Sequence, residues 1–248
     1  MRLKDRVAIV TGAAGGIGRA IALKLAQEGA NIAVADMNLE GATGVAGEVK
    51  SLGREALAVK TDVSDHQEVN DMVKAVLDKF GRIDILMNDA GGSARERGSY
   101  FHASTEDVWD MVLAKNLKGT MHCTRAVINH MMERKSGKIV NMGSVAGVYG
   151  QEEKAEYSAA KGAIIAFTKA LALEAAPHGI TVNCVSPGVI DTLATRPGRT
   201  ARQDQLLSLI PPMGRLGTPE DVANLVAFLV SDEAAWITGQ NYLITGGR

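Results

Sequence analysis

The chain has 248 residues, of which 46% are hydrophobic and 22% charged, as in a globular protein with room for one large α/β domain or two small ones. A formal net charge of −1 gives no indication of nucleic-acid binding, and two cysteines without metal-type spacing exclude a disulfide framework. The sequence shows no run of 18 apolar residues and no signal peptide, so we expect a cytoplasmic protein that makes no use of a membrane. The five histidines form no ligand-like cluster, and no metal site is predicted.

Short apolar runs recur along the chain, and each has the length and composition of a buried strand. Runs of this kind are typical of a parallel sheet covered by helices on both faces. The seven predicted strands are Arg6–Thr11, Asn31–Asp36, Glu55–Asp62, Ile83–Asn88, Gly137–Gly143, Ile180–Pro187 and Gln240–Thr245.

Longer amphipathic stretches separate the strands and predict helices. The stretch Gly16–Gly29 places Ile17, Ile21 and Leu25 on one stripe and ends at a glycine. Strict alternation of strand and helix predicts an α/β fold, a single Rossmann-like doubly wound parallel sheet of about seven strands with helices on both faces. We expect one domain over residues 1–248, because two domains would require a break in composition that the sequence does not show.

The sequence TGAAGGIG, residues 11–18, joins the first strand to the first helix. Its glycines Gly12, Gly16 and Gly18 let the backbone approach a phosphate, and the helix N-terminus offers unpaired N–H groups to it. Ile17, within the same turn, is counted with these glycines as a cofactor-binding residue. The spacing differs from the commoner G-x-G-x-x-G, and a flexible turn of small residues is the alternative interpretation.

Asp36 ends the second strand, where a carboxylate can accept hydrogen bonds from a ribose 2′-OH and repels a 2′-phosphate. No arginine or lysine follows in DMNLEG to hold that phosphate. The sequence therefore predicts NAD(H) rather than NADP(H), with a solvated strand end as the alternative interpretation of Asp36.

The sequence YSAAK places Tyr157 and Lys161 four residues apart in a predicted helix, so the two side chains share a face. A neighbouring ammonium favours the tyrosine phenolate and makes proton exchange practical near neutral pH. Ser144 follows the fifth strand at its carboxyl end, where ligands bind in such sheets. We expect the three groups to converge, with Tyr157 exchanging the proton and Ser144 donating a hydrogen bond to the substrate oxygen.

The chain resembles the short-chain dehydrogenase/reductase family, in its compact group of about 250 residues, over essentially its whole length. The motifs that carry the resemblance occur in the family's order and spacing. They are TGAAGGIG at 11–18, NDAG at 88–91, Asn116 in LAKNLKGT, Ser144, YSAAK at 157–161 and PGVIDT at 187–192.

The resemblance implies roles that the residues alone do not indicate. Asn116 corresponds to a catalytic residue that kinks its helix and holds a water relaying protons to Lys161, whose ammonium also holds the nicotinamide ribose. The implied cofactor contacts are Asp62 and Val63 at the adenine, Asn88, Ala90 and Gly91 on the adenosine side, and Pro187, Gly188, Ile190 and Thr192 around the nicotinamide. The resemblance further implies a homotetramer built on the helices near 109–134 and 154–176. Asp89 departs from the family's usual N-N-A-G, in which an amide stands at this position.

Two variable segments are expected to choose the substrate: residues 91–104, and residues 191–217 within a lid at about 189–217. Gln151 is a candidate substrate contact, and Tyr149 a candidate wall of the pocket. Arginines in the two segments leave an anionic substrate open beside the alternative of a solvated lid surface. They are Arg95, Arg97, Arg196, Arg199 and Arg202.

These observations predict an NAD(H)-dependent oxidoreductase that interconverts a secondary alcohol and a ketone. The nearest alternative is a reductase of 3-oxoacyl groups on acyl-carrier protein or coenzyme A, although such enzymes usually favour NADPH. A non-enzymatic dinucleotide sensor is a third reading, because a fold does not fix a function.

Overall fold

A computed structural model describes residues 1–94, 97, 99–192 and 211–247. Seven parallel strands form one sheet in the order β3-β2-β1-β4-β5-β6-β7. The strands are β1 (Val7–Thr11), β2 (Asn31–Asp36), β3 (Ala56–Lys60), β4 (Ile85–Asn88), β5 (Gly137–Met142), β6 (Ile180–Pro187) and β7 (Asn241–Ile244). The predicted doubly wound fold is confirmed, and observed strand ends differ from the predicted ones by at most two residues.

The helices cover both faces of the sheet, as its apolar strands require. They are α1 (Gly16–Gln27), α2 (Leu39–Ser51), α3 (His66–Phe80), α4 (Glu106–Leu113), α5 (Gly119–Glu133), α6 (Ala146–Tyr149), α7 (Ala155–Ala175) and α8 (Pro219–Leu229). One face packs against α1, α2 and α8, and the other against α3, α5 and α7. Ile21 and Leu25 of the predicted stripe are fully buried in the first of these layers.

The strand order reverses beside β1, whose neighbours are β2 on one side and β4 on the other. At this switch point the carboxyl ends of adjacent strands diverge and leave a crevice for a ligand. Thr11 and Asn88 are paired at the ends of β1 and β4, and Asn88 is paired with Asn141 of β5. The predicted site residues at the strand ends therefore lie along one edge of the sheet.

In the part of the chain that the structure describes, no helix has the length and apolar character needed to cross a membrane. Most of the predicted lid, residues 193–210, lies outside the described residues. Arg95, Arg196, Arg199 and Arg202 lie outside them as well.

Candidate active site

Lys161 lies in the interior of the site, with only 3% of its surface exposed. Its Nζ donates a hydrogen bond of 2.7 Å to the carbonyl oxygen of Met142, at the end of β5. Burial lowers the pKa of Lys161 to about 8, and the carboxylate of Asp89 partly offsets this effect. The ammonium charge is therefore present below about pH 8 and is lost above it.

Tyr157 stands beside this ammonium on the same face of α7, as the spacing predicts. The Lys161 Nζ lies 5.7 Å from the centre of the Tyr157 ring. The ring packs against Val108 and Val112 of α4 and Ala160 of its own helix, which fixes its direction. A positive charge at this distance favours the phenolate over the phenol.

Ser144 is half-buried just beyond β5, two residues after the carbonyl that holds Lys161. Its Oγ accepts a hydrogen bond of 3.1 Å from the backbone N–H of Ala146, in the first turn of α6. Because this bond uses a lone pair, the hydroxyl proton can be donated to a substrate oxygen. The structure thus brings Ser144, Tyr157 and Lys161 to the same end of the sheet.

Asn116 sits in a π-helical segment, Ala114–Lys118, that separates α4 from α5. Its Nδ2 donates to the carbonyl oxygens of Val112 and Gly92, both at 2.9 Å, and its Oδ1 accepts from the Gly92 N–H at 3.1 Å. Such a π segment is frequent at functional sites and agrees with the expected irregularity of this helix. The buried amide ties the helix to the loop after β4, and its water relay stays a prediction.

The glycine-rich turn packs directly on the turn after β4. Gly12 has φ +68°, and a Cβ there would lie 2.8 Å from the Cα of Ala90. The residue before it, Thr11, accepts hydrogen bonds of 3.1 Å at Oγ1 from the backbone N–H groups of Asp89 and Ala90. Sequence reasoning missed Thr11 as a site residue, although it is the first residue of TGAAGGIG.

The start of α1 has no side-chain cap. Gly15, its N-cap residue, is extended and has no side chain, so it offers no oxygen to the first amides of the helix, which leaves them available to an anion as the sequence predicts. Across from them, a Cβ on Gly16 would lie 3.9 Å from Cγ2 of Thr192, in the segment after β6. The expected phosphate turn and the expected nicotinamide segment therefore face each other.

Asp36 holds the glycine-rich turn as well as ending β2. One carboxylate oxygen accepts a hydrogen bond of 3.0 Å from the N–H of Ala14, and the other accepts from the N–H of Asn38 at 2.9 Å. A carboxylate with two oxygens retains further lone pairs, so it can also accept from a ribose hydroxyl.

The other residues that are expected on the adenosine side are held by local contacts. The Asp62 carboxylate accepts from the N–H and hydroxyl of Ser64, at 2.9 and 2.7 Å. The carbonyl of the buried Val63 lies 3.1 Å from Nδ1 of His122 on α5, a contact that sequence reasoning did not anticipate. Asn88 is only 4% exposed, and its Nδ2 donates to Asn141 Oδ1 at 2.8 Å, inside the sheet.

On the substrate side, the backbone N–H of Gln151 donates to the Ser158 hydroxyl at 3.1 Å, which joins the α6–α7 loop to α7. Tyr149 is 66% exposed, and its place in the wall of the pocket stays a prediction. Arg97 is paired with Asp107 of α4, so this arginine is already engaged by a carboxylate.

The segment at the end of β6, where the nicotinamide is expected, is held by backbone contacts. Ile190 forms a bridge with Gly217, and the Gly188 N–H donates to the Ile244 carbonyl at 2.8 Å. The Pro187 carbonyl accepts from the Val145 N–H at 3.1 Å.

Comparison with known proteins places this arrangement in context. A family model described as enoyl-(acyl carrier protein) reductase matches residues 12–248. The chain is 41% identical over 248 residues to the (2S)-[(R)-hydroxy(phenyl)methyl]succinyl-CoA dehydrogenase subunit BbsD of Thauera aromatica, covering 100% of this chain and 98% of that protein. It is 39% identical to the 3-oxoacyl-[acyl-carrier-protein] reductase FabG of Thermotoga maritima, covering 100% of this chain and 99% of that protein.

A solved structure is also similar over nearly the whole chain. It is a 7α-hydroxysteroid dehydrogenase complexed with NADH and 7-oxo glycochenodeoxycholic acid. The TM-score is 0.94 at 31% sequence identity, with 99% of this chain and 95% of that chain covered. The match therefore extends from the sheet to the edge at which the site residues lie.

Proposed function

The chain belongs to the short-chain dehydrogenase/reductase family, and on that premise we propose that it interconverts a hydroxyl and a keto group on an acyl thioester, with NAD(H) as its cofactor. The chain is an oxidoreductase of this family, and its cofactor is a nicotinamide dinucleotide. The observation that carries the proposal is the convergence of Ser144, Tyr157 and Lys161 beside a phosphate-binding turn.

The relatives support a thioester more than the unspecified alcohol that the sequence predicts. One is named for a hydroxyacyl-CoA and others for 3-oxoacyl groups on acyl-carrier protein, and both names describe a thioester with an oxygen to be oxidised or reduced. The acyl-carrier alternative is thus favoured over a free alcohol or ketone. Reductases of 3-oxoacyl groups on acyl-carrier protein usually favour NADPH, whereas Asp36 favours NAD(H). A hydroxyacyl thioester of coenzyme A therefore agrees better with Asp36 than a carrier-bound one does.

The dinucleotide supplies or accepts the hydride when bound, and the residues of this chain handle the proton. In the oxidation direction, the Tyr157 phenolate removes the hydroxyl proton as the C–H bond breaks. The positive charge of the Lys161 ammonium, 5.7 Å from the centre of the Tyr157 ring, stabilises the phenolate before the reaction. Ser144 donates to the substrate oxygen and holds it against Tyr157. In the reduction direction Tyr157 returns the proton.

A panel of substrates tests the proposed class directly. The purified protein is incubated with NADH and, at equal concentration, with acetoacetyl-CoA, acetoacetyl-acyl-carrier protein or butanone, and NADH absorbance is followed. We expect turnover with a thioester to exceed turnover with butanone by at least about 100-fold, since remote binding energy raises kcat/KM. Equal turnover with all three would contradict a thioester-specific site.

Replacing Asp36 with alanine is expected to move the cofactor preference toward NADP(H). The change removes the acceptor for the ribose 2′-OH and the charge that repels a 2′-phosphate. The kcat/KM for NADH should fall roughly 10- to 100-fold, as expected for a hydrogen bond of about 1.5–3 kcal/mol to a charged group. The kcat/KM for NADPH should rise. Steady-state kinetics of both cofactors measure the two effects.

The opposite changes in kcat/KM for NADH and for NADPH distinguish a change in cofactor selection from a general defect in folding. Asp36 also holds Ala14 and Asn38, so a defect in folding would lower kcat/KM for both cofactors together. A wild-type enzyme that uses NADPH as efficiently as NADH would show that Asp36 does not select the cofactor.

Assembly into a homotetramer through α5 and α7 is part of the proposal. The groove between these helices is apolar, and Leu173 on α7 is 80% exposed, so a partner helix would remove a large apolar surface from water. The apolar part of the groove is lined by Met121, Ile128, Met132, Phe167, Leu171 and Ala175, and the polar part by His122, Thr124, Arg125 and Glu174.

Replacing Leu173 with glutamate is expected to dissociate the assembly without unfolding the protomer, because the Leu173 side chain is exposed to solvent in a single protomer. Sedimentation velocity should show a smaller species than the wild type. Leu52→Glu, a matched change at a residue that is 43% exposed at the end of α2, should leave the mass unchanged. An unchanged mass for the Leu173 variant would exclude this helix face from the interface.

A further inference from the structure

Asp89 places a carboxylate directly beneath the glycine-rich turn. A Cβ on Gly18 would lie 2.9 Å from Asp89 Oδ2 and 2.4 Å from the Gly12 carbonyl oxygen, so the acid fills the space behind the first turn of α1. The backbone N–H of Asp89 donates to Thr11 Oγ1 at 3.1 Å, which fixes the residue against this turn. The carboxylate therefore shares the helix N-terminus that is arranged for a cofactor phosphate.

Two residues after Asp89, the same turn contacts Asn116 and approaches Lys161. A Cβ on Gly91 would lie 2.4 Å from Asn116 Oδ1 and 3.7 Å from Lys161 Nζ. Residues 88–91 are thus packed between the phosphate-binding turn and the Asn116–Lys161 pair. A change of charge at Asp89 acts on both.

The protonated and the ionised form of Asp89 have nearly equal free energies close to neutral pH. Burial is the largest effect and raises the pKa of Asp89 to about 7. The Lys161 ammonium on α7 and the Gly18 N–H on α1 favour the carboxylate, whereas the Asp36 carboxylate at the end of β2 opposes it. An additional negative charge in the crevice shifts this balance toward the neutral acid.

We propose that Asp89 takes up a proton when the dinucleotide binds, so that its carboxylate and the cofactor diphosphate are not both charged at the N-terminus of α1. This inference rests on the proposed binding of a nicotinamide dinucleotide. The proton comes from solvent and forms one O–H bond on the carboxyl group, with no redox change. The neutral acid, like the family's usual amide, offers both a donor and an acceptor, so it can still accept from the Gly18 N–H and gains a donor that the carboxylate lacks.

The sign of the pH dependence follows from the raised pKa. Below about pH 7 Asp89 is already protonated, and cofactor binding requires no uptake. Between pH 7 and pH 8 binding must bring in a proton, so this step opposes binding by up to about tenfold per pH unit. Above pH 8 the loss of the Lys161 charge weakens binding through a second group, so affinity alone does not identify Asp89.

Infrared difference spectroscopy detects the protonation of Asp89 directly, because a protonated carboxyl group has a carbonyl stretch that a carboxylate lacks. At pH 8, adding NADH to the wild type is expected to increase this band, and isotope labelling of the aspartate carboxyls should shift it. The Asp89→Asn variant should show no increase. Asp110→Asn, at an exposed carboxylate on α4, should respond as the wild type does.

Binding is followed in the same samples by NADH fluorescence, which separates the two levels of the proposal. Binding without a gain in the aspartate band, or an equal gain in Asp89→Asn, would overturn the inference and leave the proposed function standing. If neither NADH nor NADPH binds, the proposed function and the inference both fall.

Discussion

Replacing Tyr157 with phenylalanine is expected to lower kcat by roughly 10²- to 10⁴-fold, the range that a general acid–base group contributes. The variant loses only the phenolic oxygen, while the ring that packs against Val108, Val112 and Ala160 is retained. Lys161 is anchored independently on the Met142 carbonyl, so the site should keep its shape. NADH binding, measured by fluorescence titration, should therefore be nearly unchanged.

The same measurement separates an enzyme from a dinucleotide sensor. Tyr242→Phe, a matched change in β7, should retain wild-type turnover and so serves as a control for losing a phenol elsewhere. A Tyr157→Phe protein with full turnover would show that another group moves the proton. A wild-type protein that binds NADH tightly but turns over no substrate in the panel would favour the sensor.

The fold could be predicted from the sequence because its strands are short, apolar and separated by amphipathic helices. Burial on both faces imposes this pattern on each strand independently, so β1 and β6 can each be predicted from their own residues. The ends of the strands differ more, as at β3, where the predicted run extends two residues past Lys60. The hydrogen-bond ladder decides such ends, and it depends on the neighbouring strand.

The placement of the candidate catalytic side chains could be predicted because their spacing is local. Tyr157 and Lys161 lie on one helix face by periodicity, and Ser144 lies at a strand end by the topology of the sheet. The role of Thr11 could not be read in this way, because its hydrogen bonds reach residues 78 and 79 positions away along the chain. The contact between His122 and Val63 is also long-range and depends on how α5 packs on the sheet.

Electrostatics were the least accessible from sequence. The sequence shows an acid in place of an amide at position 89, but the pKa of Asp89 depends on burial, on the charges of Lys161 and Asp36, and on the backbone N–H of Gly18. The arginines of the variable segments illustrate the same limit. Arg97 looks like a ligand for an anion in the sequence, whereas the structure pairs it with Asp107.

Replacing Gly12 with alanine is expected to destabilise the protein and to weaken cofactor binding together. The φ of +68° costs a side chain about 1–3 kcal/mol where the surroundings fix it, and each kcal/mol lowers Tm by about 2–4 °C in a chain of this size. The added methyl would also meet backbone, with the Ala90 Cα at 2.8 Å, so the two turns must move apart. Because the amides at the start of α1 then lose their alignment, NADH affinity should fall at least about tenfold.

Gly15→Ala is the matched control for stability, because it adds the same methyl in the same turn. Gly15 is extended, at φ −169°, and nothing lies within 4 Å of its added Cβ. Thermal melting of the two variants without cofactor therefore isolates the contact between the phosphate-binding turn and residues 88–91. Equal melting temperatures for Gly12→Ala and the wild type would show that this contact is not tight. A low melting temperature with unchanged NADH affinity would show that it supports folding without positioning the cofactor.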